Sequence, residues 1–553
     1  MKIFQPKLFS SCKGYGRKQL INDIVAGIIV AIIALPLSIA LAIASGVSPE
    51  KGLYTAIVAG FVIAFLGGSN VNISGPTAAF ATIVAGIVAQ FGTSGLVVAT
   101  FMAGVMLILM GLCRFGSLIK YIPYTITTGF TSGIAVTIVI GQIKDFLGLS
   151  FASGTHAVEI SEKVIAIVKS LATLNWQALL VGAVSLAILI IWPKINKRIP
   201  GSLIAVVVGV LMVKLLPIQV NTIGDLYTIS RQLPTFSLPE FRLETIKDLL
   251  PSAFTIAILA GIESLLSCVV SDGMIGDRHH SNTELIAQGV GNICSGLFGG
   301  IPATGAIART AANVKNGGRT PIAGMVHAVI LLLILVLLMP YAAWIPMPSI
   351  AAVLFMVAYN MSEWRQFVKI FRSSPKSDIL VLVVTFVLTV VFDLVVAIEI
   401  GLLLAVILFM KRMADVTHVR MWSAADEYSE NEGGRLKTIP EHTAVFEIDG
   451  PMFFAASDKF TSFPMKEGDW VMILRMRNVP SMDATAMQKL LSLSRICKKK
   501  KIVLLLSHVN EQPLAVMKKS GFYEDVGEEH FLANIDEALA FAENIVANRS
   551  QDL

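Results

Sequence analysis

A chain of 553 residues that is 55% hydrophobic and only 15% charged, with a mean hydropathy of +0.73, has too little polar surface to cover itself in water and reads as a polytopic membrane protein. Its five cysteines (Cys12, Cys113, Cys268, Cys294, Cys497) show neither CxxC nor metal-ligand spacing, which excludes a disulfide framework and leaves them as apolar fillers or free thiols. The net charge of +6 is modest, so where the charges fall matters more than their sum.

Residues 1–19 carry Lys2, Lys7, Lys13, Arg17 and Lys18, a basic lead-in expected on the cytoplasmic side. The first apolar run is too long for a signal h-region and lacks a small-x-small cleavage site, so it is read as the first span. Candidate spans follow at roughly 20–46, 52–67, 76–91, 95–112, 121–146, 175–192 and 200–216. A second set runs at roughly 251–271, 283–298, 305–315, 320–339, 346–361, 377–396 and 397–412. Several are short of the about 20 apolar residues a bilayer needs, which suits half-helices. Seven spans per half is odd, so the second half (251–412) enters the membrane from the side opposite to the first (20–216), and the repeats are inverted.

Charge placement supports this count. Loops after even-numbered spans hold Arg114 and Lys120; Lys194, Lys197 and Arg198; Arg278; Lys315 and Arg319; and Arg365, Lys369, Arg372 and Lys376. The short loops 91–95, 299–304 and 340–345, after odd-numbered spans, hold neither Lys nor Arg. Both termini are thereby expected in the cytoplasm of a multi-pass inner (plasma) membrane protein.

Two interruptions punctuate the apolar sequence. Gly67–Phe80 reads GGSNVNISGPTAAF and restarts a helix at Pro76, where a proline suits a first helical position. Gly299–Arg309 reads GGIPATGAIAR, its Gly-Gly pair 232 positions after the first (299 minus 67). Non-helical backbone is tolerated in a membrane only where protein buries it or water reaches it, and broken helices at matching places in two halves point to a transporter's binding site. Two helices starting near the midplane each aim free N–H groups and about half a positive charge inward, so such a site suits an anion.

After Lys411 and Arg412, residues 413–440 read as a polar linker and 441–553 as a small cytoplasmic α/β domain. Strand-like runs fall at Ala444–Ile448, Trp470–Met476 and Ile502–Leu506, with helical periodicity at about 484–497, 512–520 and 534–546. Neither GxxxxGK nor GxGxxG is present, and no nucleophile–base pair or metal cluster stands out, so an enzyme is not expected and no cofactor is implied.

The motifs Gly52-Leu53-Tyr54, Gly68-Ser69 and Ser74-Gly75-Pro76-Thr77-Ala78 resemble the signature of the sulfate permease (SulP) family of anion transporters, and Thr304-Gly305-x-x-x-Arg309 with Gly318-Arg319-Thr320-Pro321 resembles its second-half motif. Residues 441–553, with Val479-Pro480-Ser481-Met482-Asp483, resemble a STAS domain. The resemblance implies an α-helical membrane protein of 14 spans in two inverted seven-span repeats of the uracil-permease type. Spans 1–4 and 8–11 would form a core domain, spans 5–7 and 12–14 a gate domain, and the whole a homodimer. Within the family, SGPTAAF and AIAR-x-AANV are similar to the bacterial dicarboxylate-type branch. Asn70 and Val71 stand where many members have Arg-His, Ala308 where many have Ser, and Leu37 where many have Gln, which favours a carboxylate with an apolar body over inorganic sulfate.

Thr77, Ala78, Ala79 and Phe80 open the third span, and Gly305, Ala306, Ile307 and Ala308 the tenth. Small residues let an anion approach backbone N–H groups, although they also permit close helix packing. Arg309 either adds a charge facing the site, pairs with a carboxylate or reaches the cytoplasmic side. Span 1 is expected to break at Pro36, and Leu37, Ser38 and Leu41 match family pocket positions, with Ser38 the only clear donor. Glu263 lies in the otherwise uncharged Ala253–Val270, where an intramembrane carboxylate is functional by default. Ser267 shares its helix face. Its structural alternative is an ion pair with Arg309. His327, Asp393 and Glu399 carry weaker signals.

Anion entry into an inside-negative cell is uphill by about 2.3 kcal/mol per charge at 100 mV. Uptake therefore needs cation symport or exchange. Protonated or sodium-bound, Glu263 is neutral and tolerates an anion; bare, it repels one. The expected function is secondary active transport of sulfate, bicarbonate or a C4-dicarboxylate by alternating access, coupled to protons through Glu263, with a central site between spans 3 and 10. Alternatives are a Na⁺-coupled bicarbonate symporter, with Na⁺ at Glu263, or an anion exchanger; a channel and an anion-sensing receptor are the competing classes. The expected partners are a small anion, H⁺ or Na⁺, the lipid bilayer and a second copy of the chain, with no nucleic acid.

Overall fold

The computed structural model describes residues 4–11, 14–117, 123–151, 160–196, 199–228, 232–239, 242–392, 394–422, 439–460, 466 and 468–551. Lys2, Cys12, Lys13, Lys120, Lys197, Arg198 and Asp393, and positions 423–438 of the expected linker, lie outside them. The chain divides into two compact units, Met1–Leu403 and Leu404–Leu553.

A helix occupies every predicted span, and the last of them continues past Leu403 into the second unit. The first half contains Arg17–Ala44, Pro49–Leu66, Ala81–Leu112 (spans 3 and 4 in one run), Tyr124–Leu147, Trp176–Ile195 and Gly201–Leu215. The second contains Leu243–Ile275, Ser281–Leu297, Ile307–Lys315, Ile322–Ala342, Met347–Met361, Lys376–Val391 and Leu394–Val416. Spans 3 and 4 meet at Gly92, whose φ of 67° and ψ of −171° lie in a region essentially closed to other residues. Span 5 ends on Gly148 in the left-handed conformation, and Asn175 caps span 6 by accepting from the amides of Gln177 and Ala178.

Packing sorts the spans into two groups. Span 4 packs on spans 8 and 9, span 11 on spans 1 and 2, and span 10 on span 8. Span 5 packs on spans 12 and 13, and span 6 on spans 7 and 12. This is the fourteen-span architecture of core and gate that the resemblance implied. Spans 4 and 9 touch backbone to backbone: a Cβ added at Gly104 would stand 2.6 Å from the Gly289 carbonyl oxygen, and one at Gly289 2.5 Å from that of Gly104. Small residues allow this approach in a membrane, where dispersion rather than water exclusion holds helices together.

Two expectations are corrected. Span 1 does not break at Pro36; the helix runs from Arg17 to Ala44 with the proline inside. Proline removes one backbone hydrogen bond and crowds the preceding turn, but Ala31, Ala34, Ser38 and Ala42 are all wholly buried and hold the helix on its course. The third span does not restart at Pro76. Thr77 is still extended (φ −126°, ψ 161°), a 3₁₀ turn covers Ala78–Phe80, and the α-helix begins at Ala81.

The second unit is a five-stranded sheet with helices. Strands β1 and β2 are two-residue segments of the first unit, Ser74–Gly75 and Thr304–Gly305; the sheet here comprises β3 (His418–Met421), β4 (Thr443–Asp449), β5 (Val471–Asn478), β6 (Val503–Ser507) and β7 (Phe531–Leu532), in that order. β4 to β7 run parallel, with β3 antiparallel at the edge. The stretch read as linker thus starts with the end of span 14, which runs on to Val416, and then contributes β3. Helices Ala484–Lys500, Glu511–Lys519 and Ile535–Gln551 flank the sheet. Burial pushes the Cys497 thiol up to about 11, which suits an inert packing residue.

Candidate functional site

The two interrupted spans meet. β1 pairs antiparallel with β2, Ser74 opposite Gly305 and Gly75 opposite Thr304. The Ala306 amide extends the pairing by donating to the Ile73 carbonyl at 2.8 Å. Strand pairing between two apolar spans is viable here because each break supplies the other's hydrogen bonds.

The amides divide into two sets. Those of Gly305 and Ala306 are committed to the scaffold, Gly305 to Ser264 Oγ at 3.0 Å and Ala306 to Ile73. The tenth-span helix begins at Ile307, so the first amides without an acceptor in that helix belong to Ile307, Ala308 and Arg309. In span 3 the Phe80 amide donates to the Thr77 carbonyl at 3.3 Å, leaving the amides of Ala78 and Ala79 without a local acceptor. Ala78, Ala79, Phe80 and Ala306 are buried, whereas Ile307 and Ala308 are exposed and Thr77 and Glu263 are half-buried. The helix ends therefore have an accessible edge formed by Thr77, Glu263, Ile307 and Ala308.

Glu263 belongs to that edge. Thr77 donates its hydroxyl to Glu263 Oε2 at 3.0 Å. Ser267, one turn along, bonds instead to Asn72 Oδ1 at 2.7 Å and to Thr310 Oγ1 at 3.0 Å, so it belongs to the scaffold. Arg309 is 3% exposed. Its Nη2 donates to the Pro76 carbonyl at 3.0 Å, and its Nη1 is buried without a hydrogen-bond partner among the described residues. A Cβ added at Gly75 would stand 2.6 Å from that Nη1. Among the described residues no ion pair joins Arg309 to Glu263, so the charge of the tenth span is placed beside the break in the third.

Ser38 and Leu41 are buried in span 1, and the structure brings neither into hydrogen-bond contact with the breaks. Among the described residues the Ser38 hydroxyl finds no partner, as is true of both His327 ring nitrogens. Glu399 is exposed.

Sequence reasoning missed the acid behind the cradle. Glu284 of span 9, 1% exposed, accepts from the Gly68 amide at 2.9 Å, from Asn72 Nδ2 at 2.7 Å and from Gln288 Nε2 at 3.0 Å. Asn72 in turn accepts through Oδ1 from Ser267 and Thr310, and Gln288 donates to Ser74 Oγ at 2.9 Å. This network fixes the first break to spans 8, 9 and 10. The test that selected Glu263, a carboxylate in an apolar span, applies equally to Glu284.

Comparison with known proteins matches residues 20–385 to the sulfate permease family and residues 435–538 to the STAS domain. Over 530 residues the chain is 40% identical to YvdB of Bacillus subtilis (strain 168), provisionally named a sulfate transporter, covering 95% of this chain and 98% of that protein. It is 32% identical to the bicarbonate transporter BicA of Picosynechococcus sp., covering 84% of each. The overall structure of SLC26A9 superposes with a TM-score of 0.86 at 21% identity, over 99% of this chain and 93% of that one, which is a likeness of fold.

Proposed function

The chain belongs to the sulfate permease family of membrane anion transporters, with a C-terminal STAS domain, and from that premise we propose that it loads one small anion between spans 3 and 10 and carries it by proton-coupled symport. The observation that carries this reading is the Ser74–Gly305 pairing, with Thr77 and Glu263 at its accessible edge. The paired breaks bring two amide-rich helix ends to one place, and the buried Arg309 adds a full charge nearby. The positive field draws the anion, while Glu263, held by Thr77, sets the condition for loading. Neutralised by a proton, it admits the anion; ionised, it opposes a charge of its own sign. Symport offsets the electrical cost, which for a dianion at 100 mV is about 4.6 kcal/mol, roughly a thousandfold in concentration ratio.

Relatives named for sulfate and for bicarbonate support an oxyanion, and the apolar substitutions Val71, Leu37 and Ala308 support a dicarboxylate alongside them. Sodium is the second reading, favoured by the half-buried Glu263 carboxylate and Thr77 hydroxyl, both oxygen ligands. We place both termini in the cytoplasm, the spans in the inner membrane and a second copy of the chain as partner.

Purified protein in proteoliposomes, offered labelled sulfate, bicarbonate, oxalate, succinate, fumarate and chloride, tests the reading. One of these should accumulate above equilibrium under an inward proton gradient, without sodium and without an internal exchange anion. Movement of every permeant anion down its gradient, without accumulation, would mark a channel instead.

A further inference from the structure

Between spans 12 and 13 a short helix, Trp364–Ser373, has no buried residue. Its sequence WRQFVKIFRS divides by helical spacing into two sides. Trp364, Phe367, Val368 and Phe371 share one, and Arg365, Lys369 and Arg372 the other, with the Arg365 guanidinium folded over the Trp364 ring, 5.4 Å from its centroid, at the boundary between them. Phe367 packs edge-on against Phe386 of span 13, ring centroids 5.3 Å apart, mooring the helix by one flank. Trp364 and Phe371 beside it remain 48% and 51% exposed. Lys376, at the start of span 13, adds a fourth cation. The neighbouring acids are Glu363, which accepts from the Tyr124 hydroxyl at 3.1 Å, and Asp378. Among the described residues none of Arg365, Lys369, Arg372 and Lys376 makes an ion pair.

Such a helix, tied at both ends to membrane spans and burying none of its residues, is expected at the bilayer surface. A basic side and exposed aromatics on the other side are what an anionic interface recognises. We propose that Trp364–Ser373 is a seat for anionic phospholipid headgroups, which Arg365, Lys369, Arg372 and Lys376 bind while Trp364 and Phe371 enter the acyl boundary. The proposal rests on the cytoplasmic termini proposed above, which put the loop after the even-numbered span 12 on the cytoplasmic side, where its charge complements the anionic leaflet.

The test uses the full-length protein in phosphatidylcholine bilayers containing spin-labelled phosphatidylglycerol or spin-labelled phosphatidylcholine, and reads the motionally restricted fraction of each. Wild type should prefer phosphatidylglycerol by roughly three- to tenfold, a conservative yield from several basic residues. The triple variant R365Q/K369Q/R372Q should bring the ratio toward one, and R365K/R372K should keep it. Equal retention of both lipids by wild type, or full preference in the triple variant, overturns the proposal. Should the triple variant be misfolded, wild type alone decides: raising salt from about 0.1 M to about 1 M shortens the Debye length from ~10 Å to ~3 Å and should weaken the preference severalfold. A preference indifferent to salt overturns it. The readout needs no transport, so its failure leaves the transport reading standing, and the reverse also holds.

Discussion

Thr77 and Glu263 meet across the break in the third span, hydroxyl to carboxylate at 3.0 Å, although 186 positions separate them in the chain. Thr77 occupies the extended residue just before the span 3 helix, and Glu263 sits within the long helix of span 8. The contact ties the amide end expected to hold the anion to the acid expected to hold the proton. A change in the charge of one is therefore felt directly by the other.

Removing the hydroxyl tests that tie. In the protonated, anion-loading state this bond joins two neutral groups and is worth about 0.5–1.5 kcal/mol, so Thr77→Val, which also takes a hydroxyl donor from the edge that receives the anion, should lower anion uptake severalfold. Thr77→Ser keeps the donor and should restore most of it. Equal uptake by Thr77→Val and wild type, measured in the same vesicles, would detach Thr77 from the mechanism.

The pairing of the breaks leaves no room for a side chain at Gly305. An added Cβ would stand 2.8 Å from Asn72 Nδ2 and 3.0 Å from the Ser264 Cα. Gly305→Ala should cost about 1–3 kcal/mol by overpacking and abolish transport by displacing Asn72. Gly86→Ala, with nothing within 4 Å of the added carbon, is the control. Thermal unfolding in detergent, read beside uptake, separates the two.

Glu284 is surrounded by donors, so the isosteric amide is the informative change. Glu284→Gln turns one acceptor oxygen into a donor facing the Gly68 amide or the side chains of Asn72 and Gln288. Leaving buried polar groups mismatched costs about 1–3 kcal/mol each, and a lower Tm is expected. An unchanged Tm would mean that this network contributes little to holding the break.

The N-terminal segment is fastened beside the same break. Lys7 donates through Nζ to Asp277 at 2.9 Å and through its amide to the Gly67 carbonyl at 2.9 Å, and Ser11 donates to Asn70 Oδ1 at 2.6 Å. Burial raises the Asp277 carboxyl, but hydrogen bonds from Lys7, the Arg278 amide and Asn70 outweigh it and hold the carboxyl below its ordinary value. A depressed folded value stabilises the latch fully above the ordinary carboxylate range, and the effect is lost only as pH falls through that lower value. Tryptic cleavage of the segment should therefore be slow and independent of this carboxyl between about pH 5 and 8. Asp277→Asn should accelerate it severalfold, for a partly exposed pair worth about 1 kcal/mol at most.

The spans and both interruptions were legible because long apolar runs, and clusters of Gly, Asn and Pro within them, carry their meaning locally. What escaped depended on distant partners. Thr77 stays extended beside Pro76, whose carbonyl Arg309 engages 233 positions away, where local propensity favours an earlier helix start. Pro36 looked like a break because burial on the helix around it cannot be read from the proline itself. Asn72 meets Glu284 and Thr310 across 212 and 238 positions, and no spacing rule connects them. β3 is four residues long and takes its identity from pairing with β4.

Glu263 decides the account. In proteoliposomes with the membrane potential clamped and an inward proton gradient imposed, wild type should accumulate anion above its equilibrium level. Glu263→Gln should retain anion exchange but lose the component driven by the proton gradient. Accumulation by Glu263→Gln as steep as that of wild type would contradict the account.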